Sequence, residues 1–191
     1  MNSHFFAYIF RMRFIARWAL MRNTDPENVQ EHSHQVAVLA HALAVIRNRL
    51  YGGTVDAGAV AVAALYHDAP EIITGDLPTP IKYYNPAIKN AYRGVEDVAE
   101  KKLLSMLPPE LEPVYRPILS GTDPEIRTLV KAADKLAAYI KCVEEVKAGN
   151  AEFREAAAQT RRAVEAFDLP EVRYFLDTFL DSFSLTLDEL K

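Results

Sequence analysis

The chain has 191 residues but only one cysteine, Cys142. A lone thiol cannot form an intrachain disulfide or a thiolate zinc site, which excludes disulfide-stapled domains and zinc fingers. Its neighbours Ile140, Val143 and Val146 indicate a buried and inert side chain. This cysteine usage fits a reducing compartment, so we expect a cytoplasmic protein.

The chain also lacks a large net charge of either sign and has no long hydrophobic run. The formal net charge is −4, and it gives no general electrostatic reason to bind nucleic acid polymers, because duplex binders normally present a basic surface. No apolar run approaches the length of a transmembrane span. We therefore expect neither a nucleic acid polymer nor a membrane as a partner. A small phosphate ester held by a few local cations stays compatible with this charge.

The first 24 residues are basic and aromatic, and they contain no acidic side chain. Such a segment is compatible with a targeting presequence or a membrane-surface helix. Its arginines interrupt every apolar run, however, which leaves no signal-peptide core of adequate length. Phe6, Phe10 and Phe14 follow the spacing i, i+4, i+8 of a single helical stripe. We predict that this stripe docks the first helix onto the core.

Helical periodicity runs along the whole chain, and alternating strand patterns are nearly absent. The sequence therefore predicts an all-α fold, a compact multi-helix bundle in a single domain covering residues 1–191. Gly75, Pro78 and Pro80 predict a loop at 74–80. The segment from Ala57 to His67 is apolar all round, which is typical of a central, buried helix. The predicted helices span residues 3–15, 26–50, 57–67, 86–106, 109–119, 124–148, 151–167 and 170–179, with a final turn at 185–190.

Polar side chains in three separate segments are predicted to point into the apolar interior. His32 shares a helical stripe with Val36 and Leu39, and Asp134 lies on an apolar stripe of a later helix. The pair His67-Asp68 ends the all-apolar helix. Unpaired charge is costly inside a core, and two neighbouring buried carboxylates repel each other unless a cation lies between them. A shared cation would relieve both costs.

These four residues, His32, His67, Asp68 and Asp134, predict one divalent transition metal ion. Imidazole and carboxylate donors without sulfur suit Mn, Fe, Co, Ni or Zn. Four protein ligands around a six-coordinate ion leave positions for a water and a substrate oxygen, which is a catalytic arrangement. The competing interpretation is structural: an inward histidine is often a satisfied core residue, and an inward aspartate often caps a helix or pairs with Arg or Lys.

The pattern of His, then His-Asp, then a distant Asp resembles the metal-dependent phosphohydrolase superfamily named for its HD dipeptide. Within that superfamily the chain looks like the bacterial 5'-deoxynucleotidases. The resemblance rests on the segments SHFFAYIFRMRFIARWALMR, NVQEHSHQVAVLAHAL, LYHDAPEIITGDLPTP, VKAADKLAAYIKCVEE and FSLTLDEL. It implies an HD-type helical fold, a homodimer, and hydrolysis of deoxyribonucleoside 5'-monophosphates to a deoxynucleoside and phosphate.

The resemblance also implies roles for particular residues. Arg17 orients the phosphate, Trp18 contacts the sugar, and Glu71 and Asp76 transfer protons, with the acid and base assignments open. His32 and Asp68 would contact the substrate as well as the metal. The loop Asp76, Leu77, Pro78 and Thr79 lines the substrate site.

Each of these roles has a plainer alternative. Arg17 could be solvent-exposed in a basic stripe, Trp18 could be a core aromatic, and Glu71 and Asp76 could be surface caps. A second concern is Pro70, which disfavours helical geometry at Ala69 and could reorient Glu71 unless the helix has already ended.

Two other functions compete with a 5'-deoxynucleotidase. One is an HD phosphohydrolase acting on a nucleoside triphosphate, a cyclic dinucleotide or an alarmone. Triphosphate substrates call for more cations than Arg13, Arg17 and Arg22 provide. The other is a non-catalytic regulatory domain in which the metal is only structural.

Overall fold

The structure is a computed structural model that describes residues 2–82, 84–121 and 123–191. Those residues form α-helices and short 3-10 segments, with no strand beyond a single bridge between Ala16 and Asn28. The all-α prediction is confirmed. The helices are α1 (Phe5–Ile9), α2 (Val29–Leu50), α3 (Ala57–Tyr66), α4 (Glu71–Thr74), α5 (Thr79–Lys82), α6 (Pro86–Leu104), α7 (Glu112–Ser120), α8 (Pro124–Lys147), α9 (Arg154–Glu165) and α10 (Pro170–Phe179), and 3-10 segments cover Phe10–Phe14, Ala151–Phe153 and Leu180–Ser184.

Helix α2 begins three residues later than predicted because of a capping box. The side chain of Asn28 accepts hydrogen bonds from the backbone N–H groups of Gln30 and Glu31, and the Glu31 carboxylate accepts one from Asn28 N. Residues 27 and 28 are therefore free to lie beside residues 16 and 17. This pairing brings two site residues together, as described below.

The prediction for the aromatic stripe at the N-terminus is wrong. Phe6, Phe10 and Phe14 are 46%, 63% and 64% exposed, and Phe5 and Met12 are buried instead. The chain changes at Phe10 from an α-helix to a 3-10 helix. Because a 3-10 helix has three residues per turn, the i, i+4 register is lost at that point. A pattern in sequence cannot distinguish these two helix types.

Two further predictions are corrected by the structure. The loop predicted at 74–80 already ends at Pro78, because α5 begins at Thr79. Pro80 is tolerated there since the first helical turn needs no backbone donor. Helix α3 is not buried all round: Val60 and Ala64 face the core, whereas Val62 and Leu65 are 39% and 42% exposed.

The apolar residues form two clusters. The larger one is built from α2, α3 and α8 with α9 and α10 packed against it. The smaller one joins Phe5 and Ala69 to Leu103, Leu104 and Leu107 near the end of α6. The single-domain organisation stays a prediction. No helix among the residues described is both long and apolar enough to cross a membrane.

A buried ion pair fixes the segment that precedes α2. Glu145 on α8 accepts hydrogen bonds from the backbone N–H groups of Thr24 and Asp25 at 2.9 and 3.0 Å, and from Lys141 Nζ at 2.6 Å. Burial alone would raise the pKa of Glu145, but Lys141 and these backbone donors lower it to about 2. The charged carboxylate therefore holds residues 24–25 against α8.

Candidate active site

A cleft of about 580 Å³ opens between the side formed by α3 and α8 and the side formed by α6. Most of the residues selected from the sequence meet at this cleft. Its lining includes Arg17, His67, Asp68, Glu71, Asp76, Leu77 and Asp134.

The four predicted metal ligands converge from three parts of the chain. His32 comes from the first turn of α2, His67 and Asp68 from the turn after α3, and Asp134 from the middle of α8. Potential ligand atoms of His32, His67 and Asp68 lie within 4.8 Å of one another. The fourth residue, Asp134, places Oδ1 at 3.1 Å from His32 Nε2. These spacings suit ligands around one ion, since metal–nitrogen and metal–oxygen bonds are about 2.0–2.2 Å long.

Both histidines present Nε2 to this cluster. His67 Nδ1 lies 2.7 Å from the carbonyl oxygen of Ala64; a carbonyl can only accept, so Nδ1 carries the proton and Nε2 keeps its lone pair. His67 Nε2 is buried inside the cluster and lies 3.1 Å from Asp68 Oδ2. His32 Nδ1 faces Glu27 Oε1 at 3.6 Å. Metal-binding histidines typically direct their other nitrogen at a carbonyl or carboxylate in this way, so the residues fit a metal ion.

The two aspartates are held as anions. Burial would raise the pKa of Asp68, but His67 and His32 lower it well below its usual range. Burial acts likewise on Asp134, whose pKa is lowered by the hydrogen bond to His32 and by Lys135. The cluster therefore carries negative charge suited to a cation. Protein cations also approach it: Arg17 Nη1 lies 3.5 Å from Asp68 Oδ2, and Lys135 Nζ lies 3.0 Å from Asp134 Oδ2.

Glu71 is a buried carboxyl group and not a surface cap, with 7% exposure. Burial raises its pKa to about 9, and the charges of Asp68 and Asp76 add to the effect. The pKa of Asp76 is also raised, by burial first, although Arg17 opposes this. Pro70 does not disturb a helix, because α3 has ended at Tyr66 and α4 begins at Glu71. Two carboxyl groups that retain protons more readily than usual thus face the anionic cluster.

Arg17 lies inside the site rather than in an exposed basic stripe. Its side chain is 11% exposed, and its Nε lies 3.3 Å from Glu27 Oε2. Burial works against the charge, yet Asp68, Asp134 and Glu27 together raise the pKa of the guanidinium. A buried guanidinium beside the cluster is suited to bind a phosphate through two parallel hydrogen bonds.

Trp18 is half-buried, so it is not a fully enclosed core aromatic. Its ring centroid lies 5.3 Å from that of Phe153, and its Nε1 donates to Glu27 Oε2 at 2.9 Å. Its φ is 55°, in the left-handed region. Bulky residues rarely adopt that conformation outside sites where their surroundings enforce it.

The loop after α4 is braced by α6. Tyr92 donates from its hydroxyl to the carbonyl oxygen of Gly75 at 3.1 Å, and Gly75 itself has a φ of 73°. Asp76 and Leu77 line the cleft, and Pro78 is half-buried. The side chain of Thr79 lies outside the described part of the structure, so its role in the substrate site stays a prediction.

Glu27 and Lys82 are site residues that sequence reasoning missed. Glu27 follows Pro26 and precedes the cap Asn28, so it looks like an ordinary acidic residue at a helix start. It is 7% exposed and contacts three site residues. Lys82 lines the cleft and pairs with Glu96 at 2.8 Å. Only the close pairing of residues 15–17 with 27–29 could have revealed Glu27, and no periodic pattern encodes it.

The helical architecture with this cluster is that of the HD-domain phosphohydrolases. An HD-domain phosphohydrolase from Listeria innocua superposes with a TM-score of 0.82 at 25% identity, covering 94% of this chain and 88% of the other. A cyanophage S-2L HD phosphohydrolase, DatZ, solved with dA and one catalytic Zn²⁺ ion, shares the fold with a TM-score of 0.65 at 21% identity, covering 92% of this chain and 96% of the other.

The chain belongs to the 5'-deoxynucleotidase YfbR-like family, whose model matches residues 4–183. A 5'-deoxynucleotidase from Photorhabdus temperata is 53% identical, covering 98% of this chain and 96% of the relative. Another from Pectobacterium atrosepticum is 52% identical, covering 99% and 96%. The family predicted from the sequence, and with it the hydrolase class, is confirmed.

Proposed function

We propose that the protein hydrolyses deoxyribonucleoside 5'-monophosphates to a deoxynucleoside and inorganic phosphate in a metal-dependent reaction. The observation that carries this proposal is the meeting of the His32, His67, Asp68 and Asp134 cluster with the buried guanidinium of Arg17 in one cleft. The substrate class follows from the relatives, which are named 5'-deoxynucleotidases at about half identity over nearly their full length.

His32, His67, Asp68 and Asp134 would hold one divalent ion. When bound, such an ion lowers the pKa of a water toward neutrality and polarises a phosphoryl oxygen. The donor set suits Mn, Fe, Co, Ni or Zn. Zinc is the ion that DatZ carries. His67 Nε2 needs no rearrangement for this role, because its other nitrogen is already committed to Ala64.

Arg17 and Trp18 would position the substrate. The Arg17 guanidinium lies 3.5 Å from Asp68, so a phosphate that it binds would lie beside the cluster. Trp18, the adjacent residue, would present its ring to the sugar. A ring surface at C2' offers no partner to a 2'-hydroxyl, which disfavours ribonucleotides. Asp76 and Leu77 would complete the substrate site from the opposite loop, together with Pro78 and Thr79.

We propose that Glu71 donates a proton to the departing 5' oxygen and that Asp76 accepts a proton from the attacking water. This assignment follows from the pKa of Glu71, about 9, which keeps the carboxyl protonated at neutral pH. Burial is the first cause of that shift and does not depend on the charge of Asp68. A general acid with a pKa above the working pH arrives with its proton in place.

A screen of divalent ions against substrates tests the function. Purified protein is incubated with each ion in turn, and phosphate release is measured from each deoxyribonucleoside and ribonucleoside monophosphate. We expect turnover with deoxyribonucleotides and little with ribonucleotides. The His67→Ala variant should lose both bound metal and turnover. If it kept its turnover, the metal would have no catalytic part. If the unmodified protein bound the metal but released no phosphate from any substrate, the regulatory-domain interpretation would stand.

Triphosphate hydrolysis is the second candidate, because the cleft holds more cations than the N-terminal arginines that the sequence suggested. Arg13 and Arg22 are absent from the described lining, but a larger basic set is present: Lys82, Lys89, Arg93, Arg127, Lys131 and Lys135. Acidic residues of α6, including Glu96 and Glu100, line the same wall. Product analysis with dGTP separates the two functions, since tripolyphosphate would indicate triphosphate hydrolysis.

We further propose a homodimer in the cytoplasm. The dimer follows from the family resemblance, and exposed apolar residues such as Val62 and Leu65 on α3 are available for a contact. The single reduced thiol of Cys142 supports the location. Light scattering of the purified protein tests the dimer, and a mass of one chain, 21.5 kDa, would reject it.

A further inference from the structure

We propose that Glu27 is a positioning residue that orients Arg17, Trp18 and His32 together, and so determines both metal affinity and deoxyribose selectivity. The part of this inference that concerns deoxyribose selectivity rests on the proposed function. The part that concerns contacts among residues of this chain does not depend on that function.

One buried carboxylate serves all three side chains. Glu27 Oε2 accepts from Trp18 Nε1 at 2.9 Å and from Arg17 Nε at 3.3 Å. The other oxygen, Oε1, lies 3.6 Å from His32 Nδ1. Glu27 is only 7% exposed, so water does not compete freely for these donors. Under the proposed function, Trp18, Arg17 and His32 serve the sugar, the phosphate and the metal, respectively.

Glu27 is itself fixed on both sides. Arg17 N donates to the carbonyl oxygen of Glu27 at 2.9 Å, and Val29 N donates to the carbonyl oxygen of Ile15 at 3.0 Å. These two bonds flank the Ala16–Asn28 bridge. Immediately before Glu27, residues 24–25 are anchored to the carboxylate of Glu145. A carboxylate held in this way can impose an orientation on its neighbours.

For Trp18, the consequence is selectivity. The indole has one hydrogen-bond donor, Nε1, and Glu27 occupies it. The ring therefore offers the sugar an apolar surface and no polar atom. A 2'-hydroxyl placed there would be buried without a partner, whereas a 2'-methylene would not. Releasing the indole N–H from Glu27 would free a donor that could hydrogen-bond a 2'-hydroxyl.

For His32, the consequence is metal affinity. A carboxylate facing Nδ1 keeps the proton on that nitrogen and leaves Nε2 as the ligand atom. Loss of such an outer partner typically lowers metal affinity about 10–100-fold. Glu27→Gln tests this directly. An amide carries no charge, so all three donors lose a charged acceptor, and its NH₂ group also faces either His32 or Arg17, which removes at least one contact outright.

The experiment compares Glu27→Gln with the unmodified protein by three measurements. Binding of Co²⁺ to the metal-free protein is measured by its visible absorption, and we expect it to weaken about 10–100-fold. The ratio of kcat/KM for dAMP over AMP should fall about tenfold or more. Trp18 is the only tryptophan in the chain, so any change in emission maximum reports on this indole alone, and a shift is expected.

Glu171→Gln is the matched control. Glu171 is also fully buried and also pairs with an arginine, Arg47, at 2.7 Å. Arg47 lies four turns along α2 from His32, roughly 22 Å away at 1.5 Å per residue. The control should lower thermal stability as Glu27→Gln does, and should leave Co²⁺ affinity, the dAMP/AMP ratio and tryptophan emission unchanged.

A second variant keeps the inference testable if Glu27→Gln does not fold. Trp18→Phe retains an aromatic ring but removes the N–H donor together with the five-membered ring, so the bond that orients the ring is lost and the dAMP/AMP ratio should fall. Where Glu27→Gln does fold, adding it to Trp18→Phe should not lower the ratio further, although Co²⁺ binding should still weaken. If Trp18→Phe lowered the dAMP/AMP ratio and the double variant lowered it again, Glu27 would not act through the indole.

Two results would overturn the inference: a folded Glu27→Gln protein with unchanged Co²⁺ affinity, or an unchanged dAMP/AMP ratio in both variants. Failure of the proposed function gives a different pattern. The unmodified protein would then release no phosphate from deoxynucleotides, while Glu27→Gln would still weaken Co²⁺ binding and shift the tryptophan emission.

Discussion

Replacing Glu71 by glutamine should make the metal-free protein more stable at neutral pH while it impairs catalysis. The pKa of this carboxyl is about 9 in the folded protein and 4.5 ordinarily, so folding favours the protonated form. Stability linked to this group is fully present below the ordinary pKa and is lost as the pH rises from there towards 9. Because pH 7 lies about 2.5 units above the ordinary pKa, the free energy of unfolding is lowered there by roughly 3 kcal/mol, at about 1.36 kcal/mol per unit.

Urea denaturation of the metal-free Glu71→Gln and unmodified proteins measures this loss. At pH 7 the variant should be more stable by up to about 3 kcal/mol, and at pH 4.5 the two should be nearly equal. Glu110→Gln on the surface is the control and should change the free energy of unfolding by less than about 0.5 kcal/mol at either pH. A Glu71→Gln variant that gains nothing between pH 4.5 and pH 7 would refute the buried, protonated carboxyl and our assignment of the acid.

The other predictions concern stability and selectivity. Glu145→Ala leaves Lys141 as a buried unpaired charge and should lower the free energy of unfolding by about 3–5 kcal/mol in chemical denaturation. Because the pKa of Glu145 is about 2, the unmodified protein should lose this stabilisation as the pH falls from about 4.5 to about 2. A Glu145→Ala variant with the same acid dependence would contradict this account. Phe10→Ser should change the melting temperature little, since Phe10 is 63% exposed, whereas a docked phenylalanine would cost about 3–5 kcal/mol. Trp18→Ala should lower the dAMP/AMP ratio of kcat/KM, and an unchanged ratio would remove the indole from sugar recognition.

Helical periodicity predicts that the four candidate metal ligands face the interior, but spacing alone does not prove that they converge. His32 and Asp134 share stripes with core residues, so each has to face the interior. His67 and Asp68 follow α3, whose Val60 and Ala64 are buried. Burial of several polar groups in one core leaves few arrangements that satisfy them all.

Periodicity fails where spacing alone does not determine conformation. Phe6, Phe10 and Phe14 are spaced correctly for an α-helical stripe, but all three are exposed, and Phe10 and Phe14 lie in a 3-10 segment that breaks the register. In α3, composition indicates burial on every side, yet Val62 is 39% exposed. An apolar residue is not obliged to be buried, so an apolar sequence does not identify which face is covered.

Glu27 cannot be found from periodicity for a different reason. Its contacts with Arg17 and Trp18 depend on a turn that brings residues 15–17 beside 27–29, with one bridge and no repeating pattern. The late start of α2 at Val29, set by the cap Asn28, makes room for this pairing. Contacts of this kind depend on tertiary structure and leave no local signal.

Location of a bound ion by anomalous diffraction, on crystals grown with Mn²⁺, Co²⁺ or Zn²⁺, is the decisive measurement. We expect one strong peak at about 2.0–2.3 Å from Nε2 of His32 and of His67 and from carboxylate oxygens of Asp68 and Asp134. The peak should be absent from His67→Ala crystals. A peak elsewhere, or an unmodified cluster that binds no ion while the protein still releases phosphate from dAMP, would contradict the metal-centred site.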